Sequence, residues 1–483
     1  MKTKQNLVTE LEHIYNGMLV AADQKKDQLS TVKPHYRYSA VNLVEYLSLR
    51  STNIEAIQKQ LHGYGLSSLA SSESHIKSQL VKIMEWLGHI TPGVCETDAE
   101  SGLKQLQKNI STLLGTPANN ETTPVMITFD TDFAKDNGLI CDLLKNGMQV
   151  ARINCAHDNQ SVWVEMIENL KKAMKQTSKS CKLYMDMAGP KIRTQIIIKN
   201  KKDTKLEVGR GDEIILTDPD QKTEKHKKYI CCTLPGIVQN LEPGHRVFFD
   251  DGLFEAVVKS VDGKQATLNI TRILTKKPFI KSEKGINFPD TTLKVNPITV
   301  YDEECLPFIT QHADMLGFSF VNSAMDVQQL QTRLSVLNVP NFPVVAKIET
   351  KEAVNNLPGI ILQGMQQDMF GVMVARGDMA IEIGFERMSE IQDEILWICE
   401  AAHTPVIWAT QVLENMNRLG IATRSEITDA AHAAAADCVM LNKGDHIVEV
   451  LKSLNDILGR SRKNNFKNRR LFRKLSIADN FFK

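Results

Sequence analysis

The sequence predicts an α/β protein: a (β/α)8 barrel that carries an inserted small β-barrel lid domain and follows an N-terminal α-helical domain. Three observations predict it. From Pro124 onward, short apolar runs of β type alternate with helical stretches. One long gap between two of these runs has an all-β texture. Residues 1–120 show helical periodicity throughout.

In residues 1–120, apolar positions recur one helical face at a time: Leu7, Leu11, Ile14 and Met18, then Val41, Val44, Leu47 and Leu49, then Ile76, Leu80, Ile83 and Leu87. Gly63-Tyr64-Gly65 and Ser71-Ser72 separate them, and Gly115–Asn120 reads as a linker. The apolar runs that follow are Val125–Phe129, Gln149–Cys155, Lys182–Met187, Met315–Val321, Pro343–Glu349, Phe370–Asp378, Pro405–Gln411 and Cys438–Gly444. Near-continuous apolar strands, each followed by a helix, suit a parallel sheet buried on both faces. Eight such units suggest a closed barrel over residues 121–194 and 291–458. An open doubly wound sheet is the rival arrangement.

The gap, residues 195–290, contains Ile196–Ile198, Glu213–Leu216, Arg246–Phe249, Phe254–Val258 and Gln265–Ile270, with turns at Gly209-Arg210-Gly211, Asp251-Gly252 and Asp262-Gly263. A β domain inserted there would stand over the barrel's C-terminal face, where it can serve as a lid. Residues 459–483 form a basic tail with Arg460, Arg462, Lys463, Lys467, Arg469, Arg470, Arg473 and Lys474. Such a tail either meets an anionic partner or is a solvated or neighbour-packed surface.

Composition narrows the function classes. The 483 residues include 58 basic and 57 acidic side chains, so the net charge of +1 gives no global pull toward nucleic acid or membrane. Apolar residues at 42% and charged residues at 24% suit a globular chain with a sizeable core. Nine cysteines form no C-x-x-C pair, which argues against a thiolate zinc site and fits a reducing compartment. The start, Met1-Lys2-Thr3-Lys4-Gln5, has no apolar leader, and no run of about 18 apolar residues is present. A cytoplasmic protein without a membrane span is expected.

A barrel directs the side chains at its strand C-termini into one mouth. Those ends carry Arg152 and Asn154, Asp186, Lys347 and Glu349, Arg376 and Asp378, Thr410 and Gln411, and Asn442 and Lys443. Polar groups there are costly to bury unless paired or metal-bound. Glu349 and Asp378 supply two hard oxygen donors on neighbouring strands, the number that magnesium favours. Arg152, Lys347 and Arg193 add positive charge, and phosphoryl transfer uses that combination of metal and cations. A structural Lys347–Glu349 ion pair is the alternative.

These residues resemble the pyruvate kinase family. Val150-Ala151-Arg152-Ile153-Asn154-Cys155-Ala156-His157 is similar to V-A-R-x-N-F-S-H, and Asp186-Met187-Ala188-Gly189-Pro190-Lys191-Ile192-Arg193-Thr194 to D-T-K-G-P-E-I-R-T. Phe249-Asp250-Asp251-Gly252-Leu253 and Ser282-Glu283-Lys284-Gly285-Ile286-Asn287 resemble its lid signatures. Ala346-Lys347-Ile348-Glu349, Met373-Val374-Ala375-Arg376-Gly377-Asp378, Ala409-Thr410-Gln411 and Thr423-Arg424-Ser425-Glu426 resemble A-K-I-E, M-V-A-R-G-D, A-T-Q and T-R-A-E. The resemblance runs in order over residues 124–455. It implies transfer of a phosphoryl group from phosphoenolpyruvate to ADP, giving pyruvate and ATP, with Mg²⁺ (or Mn²⁺) as cofactor and a homo-oligomer as the assembly. It implies that Lys347 stabilises the migrating phosphoryl group and the enolate. Glu349 and Asp378 would hold the metal. Arg152, Arg193, Asn154 and His157 would contact phosphate and nucleotide. Gly377, Asp378 and Thr410 would receive the substrate carboxylate, with Thr410 near the carbon that gains a proton.

The departures carry their own expectations. The family's monovalent-cation site falls on Asn154, Ala156, Asp186 and Met187, where Ala156 lacks the hydroxyl, and its nearby Glu is Lys191. The ammonium of Lys191 can replace potassium as a fixed positive charge at the site that includes Asp186, so activity without K⁺ is expected. The family's Lys is Ala188, its S-G-E is Asn442-Lys443-Gly444, and its T-I-G-P is Thr128-Phe129-Asp130-Thr131. No counterpart of the regulatory C-terminal domain follows the barrel, so sugar-phosphate control is expected to be absent. Two other readings stay open: a magnesium-enolate C–C lyase or aldolase, and a catalytically weak scaffold. His432 and Cys155 read as packing residues, His157 equally as a hydrogen-bonded structural histidine, and Thr423 with Glu426 as a helix capping box.

Overall fold

The computed structural model describes residues 4–90, 98–116, 123–197, 205–219, 221, 227–293, 295–462, 465–467 and 469–470. Cys95, most of the 115–120 linker, Ile198, Lys463, Arg473 and Lys474 lie outside them. Six helices come first: α1 (Lys4–Gln24), α2 (Lys26–Thr31), α3 (Arg37–Arg50), α4 (Glu55–Gly63), α5 (Ile76–Trp86) and α6 (Ala99–Leu114). Leu7, Leu11, Ile14 and Met18 bury one face of α1, as the spacing predicts. Asp98 caps α6 by accepting from the Ser101 N–H, with Ser101 bonding back.

Eight parallel strands then close a barrel: β1 (Val125–Thr128), β2 (Met148–Asn154), β3 (Lys182–Asp186), β4 (Met315–Phe318), β5 (Val344–Ile348), β6 (Phe370–Ala375), β7 (Val406–Ala409) and β8 (Cys438–Leu441). Each strand neighbours the next in sequence, and β1 closes on β8. The surrounding helices are α7 (Asn137–Lys145), α8 (Gln160–Thr177), α9 (Val300–His312), α10 (Ala324–Val336), α11 (Lys351–Asn355), α12 (Leu357–Gly364), α13 (Arg376–Ile383), α14 (Met388–Ala401), α15 (Glu414–Leu419), α16 (Arg424–His432) and α17 (Ile447–Arg462). Side chains alternate across each strand, so positions two apart share the barrel interior. Val150 is followed inward by Arg152, Tyr184 by Asp186, and Val345 by Lys347. The lower members pack in one apolar cluster with Met126, Met373 and Met440, and the upper members open into the mouth.

Several strands stop earlier than their apolar runs, for identifiable reasons. β4 ends at Phe318 because Phe320 takes a left-handed backbone (φ 55°). β7 ends at Ala409 because Thr410 and Gln411 do the same (φ 67° and 55°). The run expected as strand through Asp378 ends at Ala375, and Arg376 opens α13. Asp378 lies in the first turn of that helix, where a carboxylate meets the positive end of the helix dipole.

The N-terminal helices and the barrel share one apolar core. The end of α6 goes further. Leu113 and Leu114 are buried in the cluster that fills the barrel interior, and a methyl group on Gly371 of β6 would stand 2.5 Å from Leu113 Cδ2. A leucine thus plugs the N-terminal end of the barrel, and Gly371 makes room for it.

The insert has its own core, built around Ile214, Leu216, Phe249, Phe254, Ala256 and Leu268. Its main sheet has seven strands, in the order Ile286–Asn287, Arg246–Phe249, Phe254–Asp262, Gln265–Ile273, Glu213–Thr217, Tyr229–Cys232 and Thr194–Ile197. The Tyr229–Cys232 strand is one that the composition of the segment did not reveal. The two end strands meet: Thr194 N–H donates to the Lys284 carbonyl at 2.7 Å and Glu283 N–H to the Thr194 carbonyl at 2.7 Å. Those bonds curl the sheet onto itself. No helix among the described residues is long and apolar enough to cross a membrane.

Candidate active site

Four charged side chains meet at the mouth. Arg152 on β2 donates through Nε at 2.8 Å and Nη2 at 2.5 Å to one oxygen of Asp186 on β3, and through Nη1 to Thr128 Oγ1 at 2.9 Å. Tyr184, two residues below Asp186, donates its hydroxyl to the other oxygen at 2.7 Å. Lys347 on β5 lies 3.1 Å from Glu349 Oε1 and 3.6 Å from Asp186 Oδ2. It also donates to Ser319 Oγ at 2.7 Å, and the Ser319 hydroxyl donates in turn to the Met187 carbonyl at 2.7 Å. The second oxygen of Glu349 accepts the Phe320 N–H at 2.6 Å. The left-handed backbone at Phe320 is therefore what brings that N–H to the carboxylate.

Burial and charge compete in this nest, and charge wins for three of the four groups. Burial disfavours ionised Asp186, which has no solvent exposure, but Lys347 and Arg152 hold its pKa below the ordinary carboxylate value. Burial also disfavours charged Lys347 and Arg152, yet Asp186 first, then Glu349 for Lys347, keeps both above their usual values. Glu349 is the exception. Burial raises its pKa, Lys347 only partly opposes this, and the neighbouring Asp378 charge raises it further.

Asp378, on the first turn of α13, takes Lys191 Nζ on both oxygens, at 2.9 and 3.0 Å. Lys191 thus sits on Asp378, while Asp186 is held by Arg152, Tyr184 and Lys347. Arg376, beside it, clamps the next strand end. It donates to the Ala409 carbonyl at 3.0 Å and the Thr410 carbonyl at 2.5 Å, pairs with Asp429, and lies over the Trp408 ring at 4.6 Å. Those two carbonyls point at Arg376 as the chain turns left-handed at Thr410. Thr410 Oγ1 is buried without a hydrogen-bond partner among the described residues, and it lies 3.8 Å from the position a methyl on Gly377 would take. A β-branched residue with positive φ and an unpaired buried hydroxyl combines two costs, and such combinations cluster at functional sites.

The remaining expected residues line the rim toward the insert. Asn154 turns its carbonyl oxygen to the Ala156 N–H at 3.1 Å. Arg193 belongs to the chain entering the insert, with Nη1 on the Glu283 carbonyl at 2.9 Å and its N–H on Thr233 Oγ1 at 2.9 Å. The His157 pKa is lowered by burial and then by the charges of Lys443 and Arg193. Lys443 is 3.7 Å from Asp130. Cys155 is buried, with its thiol pKa pushed well up by burial, and Thr423 with Glu426 forms the expected capping box. His432 bonds Asp393 at 2.8 Å and touches the Trp408 ring. Sequence reasoning missed Ser319, Tyr184 and Asp429. Tyr184 carries a usable signal, since it stands two residues before Asp186 and so shares its face.

The fold and the mouth define a (β/α)8-barrel protein with a β insert over a charged, buried cluster at the strand C-termini. The chain belongs to the pyruvate kinase family, whose barrel-domain model matches residues 120–446. It is 31% identical over 322 residues to a pyruvate kinase of Staphylococcus saprophyticus, covering 65% of this chain and 53% of that protein. It is 32% identical over 325 residues to one of Geobacillus stearothermophilus, covering 66% and 53%. The match therefore spans about half the length of these curated relatives.

Proposed function

We propose that this protein transfers a phosphoryl group from phosphoenolpyruvate to ADP, giving pyruvate and ATP, with the 195–290 insert acting as a lid over the 121–194 and 291–458 barrel. The observation that carries this reading is the Lys347 ammonium, 3.1 Å from Glu349 and 3.6 Å from Asp186 in a buried nest. Held there, Lys347 would bear on the oxygen from which the phosphoryl group departs, and Arg152 would neutralise phosphoryl oxygens. Thr410, with its unpaired hydroxyl, would orient the substrate carboxylate with Gly377 and hold a proton near the enolate carbon.

The donor set fits a hard divalent cation: two carboxylates, Glu349 and Asp378, whose mutual repulsion helps raise the Glu349 pKa. Glu349 and Asp378 would hold Mg²⁺, with Lys191 sharing Asp378 or yielding it. When bound, the metal supplies charge neutralisation for the carboxylate and phosphoryl oxygens. The fixed ammonium of Lys191 at the same mouth supports turnover without potassium. Manganese would serve in place of magnesium by the same oxygen chemistry.

The test is pyruvate formation coupled to an indicator dehydrogenase, with phosphoenolpyruvate, ADP and Mg²⁺, with and without K⁺. Pyruvate and ATP in equal amounts, at a rate that K⁺ changes less than twofold, are expected. A many-fold rise with K⁺ would overturn the potassium statement. Absence of turnover in folded protein would favour the scaffold reading, and metal-dependent pyruvate chemistry that ignores ADP the lyase reading.

A further inference from the structure

On the face opposite the mouth, a cavity of about 410 Å³ opens between α6, the starts of β1 and β8, and the end of α17. Its lining divides by chemistry. Leu106, Ile110, Pro124 and Ala434 make an apolar wall, and four basic side chains share the rest with neutral polar ones such as Gln107 and Ser111. Asp437 is the one acid of the lining, and it is already committed. It has no solvent exposure, one oxygen takes Lys467 Nζ at 2.5 Å, and the other accepts the Val406 N–H at 3.0 Å. Lys104 is paired with Glu100 at 2.5 Å.

Two cations remain, Lys108 and Arg462. Neither side chain has an ion pair or hydrogen bond among the described residues. Burial pushes the Arg462 pKa below the usual guanidinium value, with Asp437 opposing. A half-buried guanidinium without an anion is costly to keep. A bound carboxylate or phosphate would remove that cost by a bidentate contact. The apolar wall beside it has no such requirement and favours hydrocarbon. The volume is that of a small-molecule pocket, too small for a folded segment of another protein.

We propose that this cavity binds a small amphipathic anion, with its carboxylate or phosphate on Arg462 and Lys108 and a short apolar body along Leu106 and Ile110. The inference does not rest on the catalytic reading, because no residue of the cavity belongs to the mouth.

Isothermal titration of the full-length protein tests it, with hexyl phosphate and hexanoate as whole probes and inorganic phosphate and hexanol as their separate halves. One-to-one binding of a whole probe, at least tenfold tighter than either half, is expected. The preferred head group, phosphate or carboxylate, is then read from the two whole probes. Lys108→Glu, at an exposed position that leaves folding intact, is expected to weaken the whole probe about tenfold, and Arg462→Gln with Lys108→Gln more than that, at an unchanged melting temperature. Three outcomes would overturn the proposal. The variants could bind within twofold of the parent; inorganic phosphate could bind as tightly as hexyl phosphate; or removal of residues 471–483 could tighten binding tenfold, which would make the chain's own end the occupant.

Discussion

The barrel holds a buried polar cluster at each end, and the two differ in what closes their hydrogen bonds. At the mouth, Arg152, Asp186, Lys347 and Glu349 are all charged residue types and all at least nine-tenths buried. At the N-terminal end, where the first helices dock, the buried carboxylates Glu73, Glu400 and Asp437 are accompanied by a network of neutral residues, Ser39, Asn42, Ser74, Asn109 and His403, equally buried. There the bonds end largely on backbone. Asn42 donates to the carbonyls of Glu73 at 2.7 Å and Ala401 at 2.8 Å and accepts the Ile76 N–H at 3.1 Å. His403 lies between Ser39 Oγ at 2.8 Å and the Ser74 carbonyl at 2.9 Å, and Asn109 donates to the His403 carbonyl at 2.8 Å. A satisfied neutral network can join two elements at little cost. A buried charged cluster brings a desolvation penalty that pairing must offset, and at the mouth four such groups meet in one nest.

The sharpest way to break this comparison is Lys347→Met. If the mouth is catalytic, turnover in the coupled assay falls about a thousand-fold, the order found when one preorganised charge-stabilising group is removed. Because a buried carboxylate pair is left undercompensated, circular dichroism and a urea titration on the same sample must show a folded chain. A folded variant with more than a tenth of parental turnover would show that the charged nest is structural.

The opposite end answers to pH. Burial lowers the His403 pKa to about 4, against about 6.5 in an unfolded chain. The folded state thus holds His403 neutral, with Nε2–H on the Ser74 carbonyl and Nδ1 accepting from Ser39. The unfolded chain binds a proton below pH 6.5 that the folded chain refuses. The stability that this histidine leaves intact above pH 6.5 is lost as pH falls toward 4, by about 3 kcal/mol in all. Urea unfolding at several pH values checks it, with His403→Gln as the control expected to flatten that part of the profile. A parental profile no steeper than the control between pH 6.5 and 4 would refute the assignment.

How much of this the sequence discloses depends on whether the signal is local. Lys347, Glu349, Arg152 and Asp186 can be read from the chain because a charge two residues beyond an apolar strand position stands out under the period-2 rule. The apolar run at Phe370–Asp378 hides the change from strand to helix at Arg376, because Met373, Val374 and Ala375 suit either state. The partnership of Ser319 with Lys347 depends on the register that sets Gly317 beside Asp186, and no single-chain pattern states a register. The same holds for Leu113. Helical spacing gives α6 an apolar face but does not say that the face ends inside a barrel.

That plug offers a third test, smaller in size. A methyl on Gly371 would meet Leu113 Cδ2 at 2.5 Å, so Gly371→Ala overpacks the closed end and is expected to cost about 1–3 kcal/mol. Leu113→Val in the same chain should recover part of it, because the two residues share one space and their effects cannot add. Urea midpoints of the two single variants and the double variant give the coupling. Strict additivity would mean that Leu113 does not fill the space above Gly371.

The smallest expected effect lies on the rim of the mouth, and it follows from counting charge. Inside, the carboxylates of Asp186, Glu349 and Asp378 face the cations Arg152, Lys347 and Lys191, so the nest has no spare positive charge for a nucleotide. Spare charge is found at Arg193, whose guanidinium donates to the uncharged Glu283 carbonyl, and at Lys443, 58% exposed and 3.7 Å from Asp130. An ion pair so long and so wet contributes little, so Lys443 is free to turn to a phosphate. Lys443→Gln is therefore expected to raise the KM for ADP about tenfold, the effect of about 1.4 kcal/mol, with kcat and the KM for phosphoenolpyruvate changed less than twofold. Raising the ionic strength should shrink the difference between parent and variant, since an exposed cation is screened over a Debye length of about 8 Å in physiological salt. An unchanged KM for ADP in an active variant would leave the buried nest in place but remove the rim from nucleotide binding.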